Sequence, residues 1–251
     1  MASSLAALKR RISLAVYSDA ERRFRGRFAN HADALAAVGP GRLAGYDNDE
    51  TAQVAFELMC RVEQWDYPVL FWLDRVLQDA SSLVDAAGHM GTKYRAFRNL
   101  LPLTPDFEWI VYDVPAVVRA GRERARIEGL TALRFHDRVA DLPETGVLLG
   151  SGLLQYLDMP FSRFIKAMPA PPTHLVLNKV ATREGESVVM LERFPGSEVP
   201  YTVLNRAEFE AELAALGYAI VDQWEIWPHS HELASIGRTT SRGYYAQRVR
   251  T

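Results

Sequence analysis

From Ser82 onward, short apolar runs take turns with helical patterns, and this alternation constrains the fold more than any other feature of the chain. Candidate strands cover residues 82–86, 108–112, 132–136, 146–150, 174–179, 219–227 and 243–248. Helical periodicity covers residues 93–100, 115–128, 153–157, 161–167 and 206–216. Strands and helices in this order predict a mostly parallel α/β sheet with helices on both faces. No helical pattern separates the last two candidate strands, so one of them is expected to enter antiparallel.

The first two strands carry the strongest functional signal. The first ends in Asp85 and passes through Ala86, Ala87, Gly88, His89, Met90 and Gly91 into a helical pattern containing Tyr94. Roughly twenty residues later the second ends in another acid, Asp113, followed by Val114 and Pro115. An acid, a small-residue turn and a second acid at that distance suit a nucleotide-type ligand lying across the carboxyl ends of two parallel strands. The turn must be small where backbone approaches the ligand. The same residues also suit an ordinary strand–turn–helix connection, since Asp and Gly are common in turns. A phosphate-binding P-loop is excluded, because no Lys-Ser/Thr pair closes the turn. A nicotinamide-dependent oxidoreductase shares the layout, but the full three-glycine spacing is absent.

Composition narrows the field. A chain of 251 residues, 48% of them hydrophobic, is enough for one large domain, or one with a smaller appendage. A formal net charge of −2 lacks the basic excess of a dedicated nucleic-acid binder. The Arg-rich stretch 119–126 reads as the solvated face of a helix. The single cysteine, Cys60, excludes an internal disulfide framework and a cysteine-built zinc site. It sits in an amphipathic pattern and reads as a buried structural thiol. No apolar run reaches membrane-spanning length, and no signal peptide is recognised, so a cytoplasmic home is expected.

Residues up to about Ala80 read as helical, without a strand. An amphipathic start covers residues 5–17, and a short helix at 31–38 is stopped by Gly39, Pro40 and Gly41. Asp47 to Glu50 supply capping residues for a longer helix through Cys60 and Val62, which Pro68 interrupts. The expected division is an N-terminal helical cap over residues 1–80 and a Rossmann-like domain over 81–251. The cap is expected to act as a lid or wall over the substrate site.

With these residues in view, the chain resembles the class I S-adenosylmethionine-dependent methyltransferases. Asp85, Gly88 and Gly91 stand in the place of that family's first motif, Asp113 where its ribose-binding acid belongs, and Phe135, His136 and Asp137 where residues flank the adenine. It is also similar, over nearly its whole length, to a subgroup of that family met in polysaccharide and natural-product pathways. The matching pieces include Phe24 to Phe28, Asp33-Ala34, Gly45-Tyr46-Asp47, Gly150 to Leu157, Leu177 to Lys179, Pro200-Tyr201, Asn205-Arg206, Gly217 to Trp224 and Arg242 to Tyr244. The resemblance implies a seven-stranded Rossmann-like sheet with an antiparallel last strand, and S-adenosylmethionine as cofactor. It implies cofactor contacts from Asp85, Ala87, Gly88, Gly91, Tyr94, Asp113, Val114, His136, Asp137, Ser151 and Gly152. The family usually carries glycine where Ala87 and His89 stand. Alanine is tolerated there at negative φ, and His89 is expected to point outward.

Methyl transfer from a sulfonium needs the nucleophile, methyl and sulfur held in line, and for a hydroxyl or amine nucleophile a base to take its proton. It requires no covalent nucleophile and no metal. His229 and Tyr156 are the candidate catalytic residues, and Gln155, Asn178 and Tyr46 the candidate substrate contacts. His229, His231 and Glu232 could bind a metal only with a further converging ligand. His174, at the start of a strand, is expected to be structural. The leading expectation is a methyltransferase, monomeric or homodimeric, acting on a hydroxyl or amine of a small molecule or glycan precursor, with no nucleic-acid or membrane partner. The alternative is a non-catalytic binding or scaffold protein that keeps the fold, with its cofactor pocket filled by side chains such as His89 or Met90.

Overall fold

The computed structural model describes residues 20, 22–49 and 55–249. The expected helix over residues 5–17 lies outside them. Before Ser82 the described chain forms strands β1 (Phe24–Phe28) and β2 (Leu43–Ala44) and helices α1 (His31–Ala36), α2 (Phe56–Met59) and α3 (Tyr67–Val76). Then follow β3 (Ser82–Ala86), α4 (Thr92–Phe97), β4 (Glu108–Tyr112), α5 (Pro115–Glu128), β5 (Leu133–His136), β6 (Val147–Ser151), α6 (Phe161–Ala167) and β7 (His174–Arg183). The chain finishes with β8 (Val188–Arg193), β9 (Ser197–Asn205), α7 (Arg206–Ala215), β10 (Tyr218–Glu225), β11 (His231–Leu233) and β12 (Gly237–Arg248).

The main sheet runs β5-β4-β3-β6-β7-β12-β10. Neighbours are parallel except β12, which lies antiparallel between β7 and β10. This is the expected seven-stranded sheet, with its last strand inserted antiparallel. Strands β3 and β4 are apolar runs because helices cover both faces. On one face α6 and α7 bring Phe161, Phe164, Ile165, Phe209 and Leu213 onto Val84, Leu148 and Leu177. On the other α3, α4 and α5 bring Val69, Leu73, Phe97 and Val118 onto Leu83, Trp109 and Leu149. The strand order reverses beside β3, which pairs with both β4 and β6, and so opens a crevice at the carboxyl ends there.

The expectation of a strandless segment before Ser82 is corrected. Strand β1 pairs antiparallel with β8, β8 pairs antiparallel with β9, and β2 runs parallel to β9. These strands form a smaller sheet joined to the main one where Thr182 and Arg183 of β7 pair with Leu204 and Asn205 of β9. Neither β1 nor β2 is long or apolar enough to read as a strand alone; each exists through a partner more than 150 residues away.

Two local expectations also change. The helix foreseen through Cys60 and Val62 is only the single turn Phe56–Met59, with residues 50–54 outside the description. Asp47 caps a different helix: its Oδ1 accepts from the backbone N–H of Ala116 at 2.7 Å, in the first turn of α5. Pro68 does not interrupt a helix but sits in the first turn of α3, where a missing N–H costs nothing. The helix expected over residues 153–157 is a 3₁₀ turn at Leu154–Tyr156. Cys60 is half-buried rather than buried, and burial pushes its thiol up.

Candidate active site

Asp85 is the penultimate residue of β3, which ends at Ala86, and the chain then turns through residues 87–91 into α4. Three alternate residues of that turn, Ala87, His89 and Gly91, have φ values of 57°, 54° and 75°. Holding a residue with a Cβ in this left-handed region costs about 1–2 kcal/mol. The turn therefore stores strain at two of its three left-handed positions, and strain of this kind persists where the surroundings enforce it. A Cβ on Gly88 would stand 2.7 Å from Asp85 Cγ, so only glycine fits between them.

Both expectations about the missing glycines are corrected. Ala87 does not have a negative φ, and His89 does not point outward. Its side chain is 1% exposed, with its ring centroid 6.3 Å from that of Phe56. Both imidazole nitrogens are buried without a hydrogen-bond partner. Burial, reinforced by Arg95, lowers the imidazole to about 4. Met90 is equally buried, packed with Phe56 and Val117.

The two acids anticipated from the sequence flank this turn. Asp113 is 8% exposed; its Oδ2 accepts from the His89 backbone N–H at 2.8 Å and its Oδ1 from the Val114 N–H at 2.8 Å. One carboxylate thus ties the turn to the start of α5. Burial raises it to about 6, against the pull of those two N–H groups. Asp85 accepts from Trp109 Nε1 at 2.9 Å through Oδ2, while its Oδ1 is buried and unpartnered. Burial raises Asp85 to about 7, although the Trp109 bond and Lys93 oppose it.

A stability test follows from these shifts. Between pH 6.5 and 4 the unfolded chain protonates His89 more readily than the folded one, so this residue's contribution to stability falls as pH falls. Asp85 and Asp113, whose folded values are raised, act in the opposite direction over much of the same range. His89→Gly removes only the first effect. The variant should gain on the parent as pH drops through this window, by up to about 1.4 kcal/mol per pH unit. Denaturant titrations of both proteins at several pH values measure the difference; a constant difference would contradict the burial of a neutral imidazole.

Tyr94 is buried in the core, packed edge-on at 5.8 Å against Trp109, the residue whose Nε1 bonds Asp85. His136 ends β5 and lines a surface cavity of about 570 Å³ with Arg122, Arg126 and Phe135, and Asp137 beside it is exposed. His174 accordingly bonds Tyr245 Oη at 2.9 Å, at the opposite end of the sheet.

Across the crevice, Ser151 ends β6 with its Oγ buried and unpartnered, and Gly152 takes a φ of 88°. Gln155 is 5% exposed with its Oε1 unpartnered. Tyr156 Oη donates to Glu192 Oε2 at 2.7 Å, while Arg23 Nε donates to Glu192 Oε1 at 2.6 Å. Glu192 is fully buried, and burial beside it raises the Tyr156 phenol well above its ordinary value. Tyr46 stacks obliquely on Tyr156 at 5.4 Å. Burial, with Asp113 and then Glu192 adding to it, raises its phenol too. Tyr46 therefore stands between the Asp113 side and the Tyr156 side of the crevice.

Asn178 is not free to meet a substrate. It is fully buried, its Nδ2 donates to the Trp65 carbonyl at 3.3 Å, and its Oδ1 accepts from Trp224 Nε1 at 3.1 Å. Its effect is to place Trp65. The Trp65 ring meets His229 edge-on at 4.5 Å, and His229 Nε2 is buried and unpartnered. Burial, then Lys179 and Arg23, lower His229 to about 4, so its imidazole is neutral at physiological pH. Arg23 and Glu192 were not singled out as site residues: they are 169 positions apart, and only the pairing of β1 with β8 joins them. Among the described residues no group of three His, Cys, Asp or Glu side chains could hold a metal ion, and no helix is long and apolar enough to cross a membrane.

No protein-family model matches the chain, and no curated protein matches it in sequence. Solved structures do match. The N-terminal domain of EvdMO1 with SAH bound is 13% identical, with a TM-score of 0.53 over 75% of this chain and 83% of that one. The 1,6-didemethyltoxoflavin-N1-methyltransferase of Burkholderia thailandensis, with bound 1,6-didemethyltoxoflavin and S-adenosylhomocysteine, is 16% identical, with a TM-score of 0.51 over 75% and 80%. OxaC is 16% identical, with a TM-score of 0.52 over 81% of this chain and 52% of its own length. With the strand order, these likenesses establish the fold: the chain has the Rossmann-like architecture of class I S-adenosylmethionine-dependent methyltransferases.

Proposed function

We propose that this protein is an S-adenosylmethionine-dependent methyltransferase that acts on a hydroxyl or amine of a small molecule or glycan precursor, in the cytoplasm. The observation that carries this reading is the left-handed turn Ala87, His89, Gly91 between Asp85 and the Asp113 carboxylate. A backbone that keeps three left-handed positions, two of them against the preference of their side chains, is being held for a purpose other than stability. The residues fit the cofactor in kind. Each Asp113 oxygen accepts a single N–H and retains a lone pair for a ribose hydroxyl, and Asp85 keeps a buried unpartnered oxygen on the same edge. Gly88 and Gly91 leave room for the Asp85 carboxyl and the Leu133 side chain, and Ser151 and Gly152 stand at and just beyond the end of the neighbouring strand β6. When bound, the sulfonium supplies an electrophilic methyl group.

The remaining work falls to the chain itself. Tyr46, Gln155 and Tyr156 would orient the acceptor, and burial there excludes water. The neutral imidazole of His229 would take the proton of the acceptor hydroxyl. Calorimetry with S-adenosylhomocysteine tests the reading. Saturable binding is expected, and no binding at millimolar ligand to folded protein would favour the scaffold alternative, in which buried His89 and Met90 occupy the cofactor's place.

A further inference from the structure

Beside His229 stands a cation that has no ion-pair partner among the described residues. Lys179 follows Asn178 on β7, one position beyond the residue that pairs with Ser151, and its φ of 59° marks a kink in the strand. Its Nζ lies 5.7 Å from the centre of the Trp65 ring. Among the described residues it makes no hydrogen bond or ion pair. The neighbouring charges are already committed: Lys93 Nζ is held by both oxygens of Asp66 at 2.8 and 2.7 Å, and Arg23 by Glu192. Glu63 engages the backbone at Asp66, as a cap on the turn before α3. Trp65 adds an indole Nε1, buried and unpartnered, which can only donate. The ammonium over the Trp65 ring and the indole N–H of that same ring each lack an acceptor among the described residues, and each would be satisfied by one carrying negative charge.

We infer that Lys179 and Trp65 form a subsite for an oxyanion, a carboxylate or similar group, carried by the acceptor substrate next to the hydroxyl or amine that is methylated. The inference rests on the methyltransferase reading for the word acceptor, but the subsite itself does not require it. Lys179 follows directly on the β7 residue that pairs with Ser151, so the anchored group and the reacting group would lie at the same end of these two strands. The positive charge also serves the neighbouring His229, which it helps to keep unprotonated. Burial and Lys93 bring the ammonium down to about 8, which leaves it charged at neutral pH.

Benzoate, inorganic phosphate and the neutral isostere benzamide, titrated separately into the full chain, test the subsite. Benzoate should bind at least tenfold more tightly than benzamide, and Lys179→Met should abolish that preference while Lys179→Arg retains part of it. Phosphate binding comparable to benzoate would widen the anion to a phosphoryl group; binding of benzoate alone would confine it to carboxylates. Wild-type benzoate binding should weaken as pH rises through about 8, with the charges of Lys93, Asp66, Glu63, Arg23 and His229 facing the same space. Equal affinity for benzoate and benzamide, or a preference unchanged in folded Lys179→Met, overturns the inference. S-adenosylhomocysteine binding, measured on the same samples, reports independently on the cofactor site. A protein that binds it but ignores benzoate refutes only the subsite, and one that binds benzoate alone refutes only the methyltransferase reading.

Discussion

Asp113→Ala is expected to weaken S-adenosylhomocysteine binding by about 1.5–3 kcal/mol, roughly ten- to more than a hundredfold, through loss of a charged acceptor from a buried site. The acid has two duties, and they must be told apart. It would receive ribose hydroxyls, and it already receives the N–H groups of His89 and Val114, each at 2.8 Å. Alanine leaves both N–H groups unsatisfied, so the variant should also melt lower than the parent. Affinities are therefore compared at a temperature where both proteins are fully folded. A second readout isolates the charge. Burial holds Asp113 at about 6, so wild-type affinity should fall as pH drops below that value, and the ratio of wild-type to variant affinity should shrink with it. Undiminished affinity in a folded Asp113→Ala protein would show that this acid is a structural clamp and no more.

Legibility in the sequence followed the range of the interactions. Strands β3 and β4 and helices α5 and α6 were placed to the residue. Their signals are local: apolar runs of strand length, Pro115 at the start of α5 and Gly129 in the left-handed position at its end. Strand β1 escaped because its reason is not local, whereas β8 and β9 form a local hairpin across residues 194–196 that the strand pattern did not separate. The segment Phe24–Phe28 carries Arg25 and Arg27, and becomes a strand only because β8 offers it an edge. Asp47 shows the same limit. It was read as a cap for the helix that follows it, whereas it caps α5, 69 residues further on.

The site divides along the same line. Asp85 and Asp113 were legible because each closes an apolar run, and a strand end is the one place where a short sequence fixes a position in space. The consequences of Ala87 and His89 were not, since side-chain identity suggests a φ but cannot impose one. The turn adopts the conformation that three glycines would take freely, and the packing of Phe56, Val117 and the Asp113 clamp holds it there. Asn178 was a fair candidate by position, at the carboxyl end of a central strand. Its side chain is fully buried and held at both ends, by Trp65 and Trp224, which lie 113 and 46 positions away. Lys179, its neighbour, is partly buried where Asn178 is fully so.

His229→Ala should lower kcat by about a hundredfold or more, the size of effect expected for loss of a general base, and leave S-adenosylhomocysteine affinity nearly unchanged. The imidazole stands at the edge of Trp65 with its Nε2 buried and unbonded, available to a proton donor rather than consumed by the fold. Burial and the cations around it hold it near 4, far below an ordinary histidine. That has two consequences with opposite signs. The free base is present at every pH above about 5, so kcat at saturating cofactor should show no acid limb from this residue near 6.5. A base this weak also has little thermodynamic pull on a hydroxyl proton, and so its contribution depends on being correctly placed when the methyl moves. His229→Gln preserves the size of the side chain but not its basicity, and should be nearly as slow as alanine. If instead both variants raise KM and keep kcat, the residue merely orders the acceptor. In that case the proton leaves by another route, and the phenol of Tyr156, hydrogen-bonded to Glu192, is the group placed to carry it.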